Sequence, residues 1–297
     1  MTTRGHFTAG DLTPMYIGSE TTYGQAPIVV ADEYGSIAEG GGFQPTDNPN
    51  PHMTWRYGSR AYNRAAYVTQ QNDAGFRATF EALDAPGVLH AIIGYAVPAS
   101  HITSLPSKTL HIREGPVTNS ALQYVGCKTE ELTISADVPG GIVTFEETVF
   151  ASYSDTVTMS SHGMADAPAI QWTGGIILGN STYYPQSFKL TIRNNLSRVY
   201  GYDPDQGSIT KALLEGKEEI EFEMTLWMED LTWLLGAMKN ETVIGNIVIT
   251  MGTITPRKIT LTGLNYVADG SNTSLIQDKQ LQTVRFRATG LTEAAAE

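Results

Sequence analysis

The stretch Leu122–Tyr153, LQYVGCKTEELTISADVPGGIVTFEETVFASY, leaves this chain few folds to choose from. At its centre stands Val138-Pro139-Gly140-Gly141, the residue order of a type II turn. Proline presets φ at the first corner and glycine supplies the positive φ at the second. A turn there folds the stretch into one long β-hairpin and sets its register, pairing Val138 with Gly141, Ala136 with Val143 and Ile134 with Phe145. Leu132, Ile134, Ala136, Val143 and Phe145 then share an apolar face. The opposite face carries Glu131, Thr133, Ser135, Asp137, Thr144, Glu146 and Thr148, with no Lys or Arg among them. Arms of roughly a dozen residues, at about 3.3 Å each, reach on the order of 40 Å, whereas strands usually run to about 5–6 residues. So long a hairpin presents edges that other strands must cover. The expectation is a barrel closed by several chains, with Leu132, Ile134, Ala136, Val143 and Phe145 forming an inter-subunit hairpin.

The rest of the chain fits a mainly β class. It is rich in Thr and Val, holds 29 Gly and 14 Tyr, and shows few long helical patterns. At 297 residues and 41% hydrophobic it can bury a sizeable core in one large or two ordinary domains. Nineteen basic against 31 acidic residues give a formal charge of −12, which argues against a protein that grips nucleic acid through its phosphates. It does not exclude one past which nucleic acid must travel. Cys127 is the single cysteine, so no intrachain disulfide forms, and it reads as a small buried hydrophobe. The N-terminus lacks an apolar signal core, and no run approaches the roughly 18 residues that span a membrane. The chain is expected to be made and kept in a cytoplasm, with no membrane partner.

Residues 1–50 mix Gly, Pro, Thr and Asp and read as an extended arm with at most a strand or two. Residues 51–155 form a first β domain, 156–168 a linker, 169–290 a second β domain and 291–297 a flexible tail. In the first domain, Phe76–Leu83 alternates as a strand, and Ala85–Gly94 then carries Val88, Leu89, Ile92 and Ile93 at helical spacing. The same order returns later. TFEALDAPGVLHAIIG (Thr79–Gly94) aligns without a gap with EFEMTLWMEDLTWLLG (Glu221–Gly236), setting Leu89 on Leu231, and Ile92 and Ile93 on Leu234 and Leu235. Each copy precedes a short strand (Thr109–Arg113; Asn246–Met251) and then two long ones, Arg257–Val267 and Gln280–Thr289 in the second half. The pattern predicts a duplicated β unit with a short flanking helix.

Residues that carry chemistry are scarce. Glu39-Gly-Gly-Gly-Phe43 lacks the Gly-Lys-Ser/Thr of a phosphate loop. His90, His101 and His111 lack metal-ligand spacing, and Asp203-Pro-Asp-Gln-Gly207 opens like a calcium loop but has Leu214 where a bidentate Glu is required. No serine sits in Gly-x-Ser-x-Gly. No catalytic, cofactor or metal site is expected. Between His52 and Tyr67, Trp55, Tyr57, Tyr62 and Tyr67 alternate with Arg56, Arg60 and Arg64, a mixture that suits a protein interface better than base stacking in so acidic a chain. Glu218–Met224 alternates, with Glu219, Glu221 and Glu223 opposite Ile220, Phe222 and Met224; this is a solvent-facing strand or part of an acidic wall.

Three stretches together resemble one family. Tyr124-Val-Gly-Cys-Lys128 leads into Leu132-Thr-Ile-Ser135 and the Pro-Gly-Gly turn, Phe188-Lys-Leu-Thr-Ile-Arg193 runs into Asn194-Asn195, and Pro256-Arg-Lys-Ile259 leads to Leu261. Over about residues 15–290 this order is similar to that of the tail tube (major tail) proteins of tailed bacteriophages and archaeal tailed viruses. The resemblance implies a tail-tube-type β-sandwich with a flanking short helix, whose strands join an intersubunit β-barrel. It implies a structural virion protein without enzymatic activity, assembled in the host cytoplasm and resident in the virion tail. Its rings, trimeric with pseudo-sixfold symmetry or hexameric, would stack into a tube that delivers genome DNA without specific binding. The implied partners are further copies, a tape-measure protein, a tail terminator and baseplate or tail-tip proteins. An acidic lumen lined by Glu131, Asp137, Glu146, Glu219, Glu221 and Glu223 would repel phosphates. Two rivals are a β-sandwich adhesion or carbohydrate-binding module and a hydrolase on a β scaffold. Neither accounts for the long hairpin or the repeat.

Overall fold

The computed structural model describes residues 13–27, 32–37, 42–46, 49–50, 71–97, 104–113, 120–158, 167–203, 207–227, 245–267, 273–276 and 279–296. The first half runs β1 (Thr13–Ser19), β2 (Asp32–Ile37), β3 (Phe43–Pro45), β4 (Pro49–Asn50), β5 (Gln71–Asn72), β6 (Gly75–Ala82), helix α1 (Val88–Ala96), β7 (Lys108–Arg113), β8 (Ser120–Ala136), β9 (Thr144–Phe150) and β10 (Tyr153–Thr158). The second half runs β11 (Trp172–Leu178), β12 (Ser181–Tyr183), β13 (Ser187–Arg193), β14 (Ser197–Asp203), β15 (Gly207–Leu214) and β16 (Glu219–Trp227). It continues with β17 (Ile247–Met251), β18 (Arg257–Thr262), β19 (Asn265–Tyr266), β20 (Thr273–Ile276), β21 (Lys279–Ala288) and β22 (Gly290–Ala295).

The long hairpin is present, in the expected register. Strand β8 spans 17 residues, and Ile134 pairs with Phe145. Gly140 has φ 78°, and the Gly141 amide donates to the Val138 carbonyl at 3.0 Å. The returning arm is made of β9 and then β10, which carries the pairing on to Thr158 opposite Ser120. A bulge between Thr129 and Glu131 gives β8 one extra residue, Glu130. The edges of the hairpin are covered by the chain itself, which corrects the reason given for covering them with other chains. Beside β8 lie β7 over its first part and β13 over its last, while β6 lies beside β9. The ring β8–β7–β1–β2–β6–β9 then closes on β8 as a six-stranded barrel. Leu132, Ile134, Ala136, Val143 and Phe145 all face the chain's own core, none more than 3% exposed.

Residues 13–37, read from sequence as part of an arm, therefore supply two barrel strands. Their signal was faint because β1 sends just Met15 and Ile17 into the main core, and β2, among its described side chains, adds Ile37 at the core's margin. Likewise Leu291 to Ala295, read as tail, lies in β22 and pairs with β18. Pro86 precedes the helix, which begins after Gly87 at φ 83° and buries Leu89, Ile92 and Ile93. The aromatic and arginine stretch of 52–67, His101, and the matched helix with Leu231 and Leu234 lie outside the described residues.

One pairing scheme occurs twice. In the first half β1 pairs with β7 and β7 with β8, while β2 pairs with β6 and β6 with β9. In the second, β11 pairs with β17 and β17 with β18, while β13 pairs with β16 and β16 with β21. The first copy closes into the barrel. In the second the two ladders stay apart as a sandwich, with Trp172 of one sheet edge-on to Phe188 of the other, ring centroids 5.0 Å apart. The β8–β13 ladder joins barrel to sandwich, and the main hydrophobic core takes residues from Met15 to Leu291.

Candidate functional site

Barrel and sandwich share one continuous polar face. It crosses β6, β9, β8, β13, β16 and β21, which are hydrogen-bonded neighbours in that order. In every strand the apolar alternates (Phe76, Phe145, Ile134, Leu190, Phe222, Phe286) point into the core, so the remaining alternates must share the other side. Register places these in rows. Arg77 is opposite Thr148, Thr148 opposite Glu131, and Glu131 opposite Arg193, which is in turn opposite Glu219. A second row runs from Thr79 through Glu146, Thr133, Thr191 and Glu221 to Arg287. A third runs from Glu81 through Thr144, Ser135, Lys189 and Glu223 to Arg285.

Five of the six carboxylates expected to act together are thus on one face: Glu131, Glu146, Glu219, Glu221 and Glu223. Asp137 lies exposed beyond the end of β8, beside the turn. The face is not acidic throughout, as the hairpin alone suggested. Neighbouring strands bring Arg77, Lys189, Arg193, Arg285 and Arg287, and four of these meet the carboxylates directly. Arg77 pairs with Glu146. Arg193 reaches Glu131 at 3.4 Å and Glu221 at 3.3 Å, so the two glutamates hold its guanidinium pKa up although partial burial works to lower it. Arg287 meets Glu221 at 3.2 Å, and Arg285 meets Glu223 at 2.6 Å. These side chains are a third to two-thirds exposed, and such pairs contribute about 0–1 kcal/mol each. Their main effect is on the field above the sheet: in these three rows the carboxylates, Glu81 included, outnumber the cations by only one, in a chain whose charge is −12. The basic residues were legible in sequence, as alternates in Lys189-Leu-Thr-Ile-Arg193 and in Arg285-Phe-Arg287.

Beneath this face the core holds further charge. Lys108 Nζ lies 2.6 Å from Glu147 Oε1, both side chains essentially fully buried, and Thr129 Oγ1 donates to the same oxygen at 2.6 Å. Asp84, 2% exposed, accepts from the amides of Thr253, Ile254 and Thr255 and from both threonine hydroxyls at 2.6–3.2 Å. Burial works to raise its pKa, but these donors hold it below the ordinary aspartate value. Cys127 is fully buried, and burial pushes its thiol well above the ordinary value, as befits a packing residue. Among the described residues no group of His, Cys, Asp and Glu could hold a metal ion.

The stretches that carried the family resemblance have local work to do. At Gly126, φ is 68° and a Cβ would come within 2.7 Å of Ser152 Cβ, so glycine is required where the two arms cross. Buried Asn194 donates to the carbonyls of Ala96 and Thr129 at 3.0 and 2.9 Å, tying the helix end to β8, and Asn195 takes a left-handed φ of 49°. No curated protein matches the chain. A family model described as phage tail tube protein matches residues 10–288, both halves of the repeat and every strand of the polar face, and the chain belongs to that family, as a structural component of the virion tail.

Proposed function

We propose that copies of this chain close into rings, and that stacked rings form the tail tube through which genome DNA passes into the host. The polar face of β6, β9, β8, β13, β16 and β21 would line the lumen. The observation that carries this reading is the face itself: six adjacent strands, contributed by both halves, whose three aligned rows, starting at Arg77, Thr79 and Glu81, hold only charged, Thr and Ser residues. Aligned alternates at about 4.8 Å strand spacing make a smooth wall some 25 Å across. Pairing each guanidinium with carboxylate leaves phosphates little to hold, which permits sliding without binding. The hairpin serves the assembly through its polar side and its turn. Its apolar residues Leu132, Ile134, Ala136, Val143 and Phe145 keep that side rigid from within.

The remaining partners follow from this reading: further copies above and below, and the tail proteins that set the length and cap the ends of a tube. Electron cryomicroscopy of tubes from purified protein or virions tests it. Expected is a lumen lined by Glu131, Glu146, Glu221 and Glu223 with their arginines. Tubes with these residues on the outer surface would refute the lumen assignment, and a chain that stays monomeric at all concentrations would refute the assembly.

A further inference from the structure

We propose that the polar face is a latent polyanion-binding surface: its arginines form an array that fits nucleic-acid phosphates, and the paired glutamates keep it silent. Arg285 and Arg287 are alternate residues of one strand, about 6.8 Å apart, which is twice the roughly 3.4 Å rise per phosphate along one DNA strand. Arg193 lies two strands away and Arg77 three strands beyond that, so the four span the width of the sheet. Each has a carboxylate as its present partner: Glu146 for Arg77, Glu131 and Glu221 for Arg193, Glu223 for Arg285 and Glu221 for Arg287. Guanidiniums that are 38–66% exposed do not need such partners for burial. The pairing instead removes bidentate sites that phosphate would otherwise occupy, because carboxylate and phosphate compete for the same fork of donors. Glutamate thus decides whether this wall releases or retains DNA.

The meaning of this device for the virus rests on the lumen reading above. Its test does not, because binding is measured on the free full-length chain and imaging of tubes decides the lumen separately. The variant E131Q/E146Q/E221Q/E223Q is titrated against a 30-base-pair DNA duplex by fluorescence anisotropy at 50–200 mM salt. Wild type is expected not to bind. The variant is expected to bind with log K falling against log salt at a slope of about −3.6, the value for four phosphate contacts. Adding R77Q, R193Q, R285Q and R287Q should abolish that binding. A folded variant that does not bind overturns the proposal, and so does binding that survives loss of the four arginines or that wild type shares. Should the fourfold variant not fold, E221Q/E223Q, which uncovers Arg285 and Arg287, carries the same test with a slope of about −1.8.

Discussion

At the scale of single residues, the strongest polar commitments of this chain lie away from its candidate site. Asp84 accepts five hydrogen bonds from Thr253, Ile254 and Thr255, and so fastens the end of β6 to the turn between β17 and β18. Glu293, its side chain 3% exposed, likewise binds Arg257 and His90; burial alone would raise its pKa, but these partners hold it below the ordinary value. Both carboxylates are depressed in the folded chain, so the stability they add is present above their unfolded pKa values, about 3.9 and 4.3. It is lost as pH falls through the lower folded values. Urea midpoints should therefore drop steeply below about pH 4, and Asp84→Asn should lower the neutral midpoint while flattening that acid limb. An acid limb unchanged in Asp84→Asn would show that the loop does not hold the carboxylate as described. The Lys108–Glu147 pair makes a different prediction. Removing one partner strands a buried charge, so Lys108→Met should cost about 3–5 kcal/mol in chemical denaturation. Lys108→Met with Glu147→Met should recover most of that loss; a double variant less stable than the single would contradict the assignment.

At the scale of elements, a turn and an alternation were enough to read the hairpin. Pro139-Gly140 set the register at one end, and the apolar alternates of Leu132–Ala136 and Val143–Phe145 could satisfy only one face. The bulge at Glu130 was not legible, because its cause is remote in sequence: the Asn194 amide donates to the Glu130 carbonyl at 2.9 Å, and the Leu196 amide to its carboxylate at 2.6 Å. The same limit applies to the site. Alternation told that Glu131, Glu146, Glu221 and Glu223 point away from the core, but only the strand order β6–β9–β8–β13–β16–β21 reveals that Arg77, Arg193, Arg285 and Arg287 stand beside them. Strands β1 and β2 escaped because barrel closure, more than their own propensity, holds them in place. Asn194 sits where helix, bulge and β13 meet, and its amide serves two buried carbonyls. Asn194→Ala should cost about 1–3 kcal/mol in thermal or urea melts, the desolvation cost of leaving a buried acceptor unpaired. Leu89→Ala should cost about 2–5 kcal/mol by opening a cavity under α1. An unshifted melt in either variant would deny the residue its place in the core.

At the scale of the whole molecule, the repeat bears on how many copies the proposed ring would hold. The polar face takes β6, β9 and β8 from the first half and β13, β16 and β21 from the second, three strands each. Both halves thus contribute equally to the polar face, and neither has the relaxed alternation expected of a domain that would only decorate the outside of a tube. Closed cyclic assembly needs each interface to be heterologous and to complete the circle. The β8–β13 ladder would serve as the interface between halves within a chain, and the short strands that end the sheet, β3 on one side and β19 and β20 on the other, would serve between chains. Three copies would then give a lumen of 24 strand positions, eight per chain once β3 and the β19/β20 position are counted, more than the roughly 16–18 strands that already leave an aqueous channel in known barrels, and six copies would double it. Three chains per ring with pseudo-sixfold symmetry is the expected outcome of symmetry analysis on cryomicroscopy images of the tube. Six chains per ring, with only one half at the lumen, would overturn the trimer and break the continuous face in two, while leaving the family assignment standing.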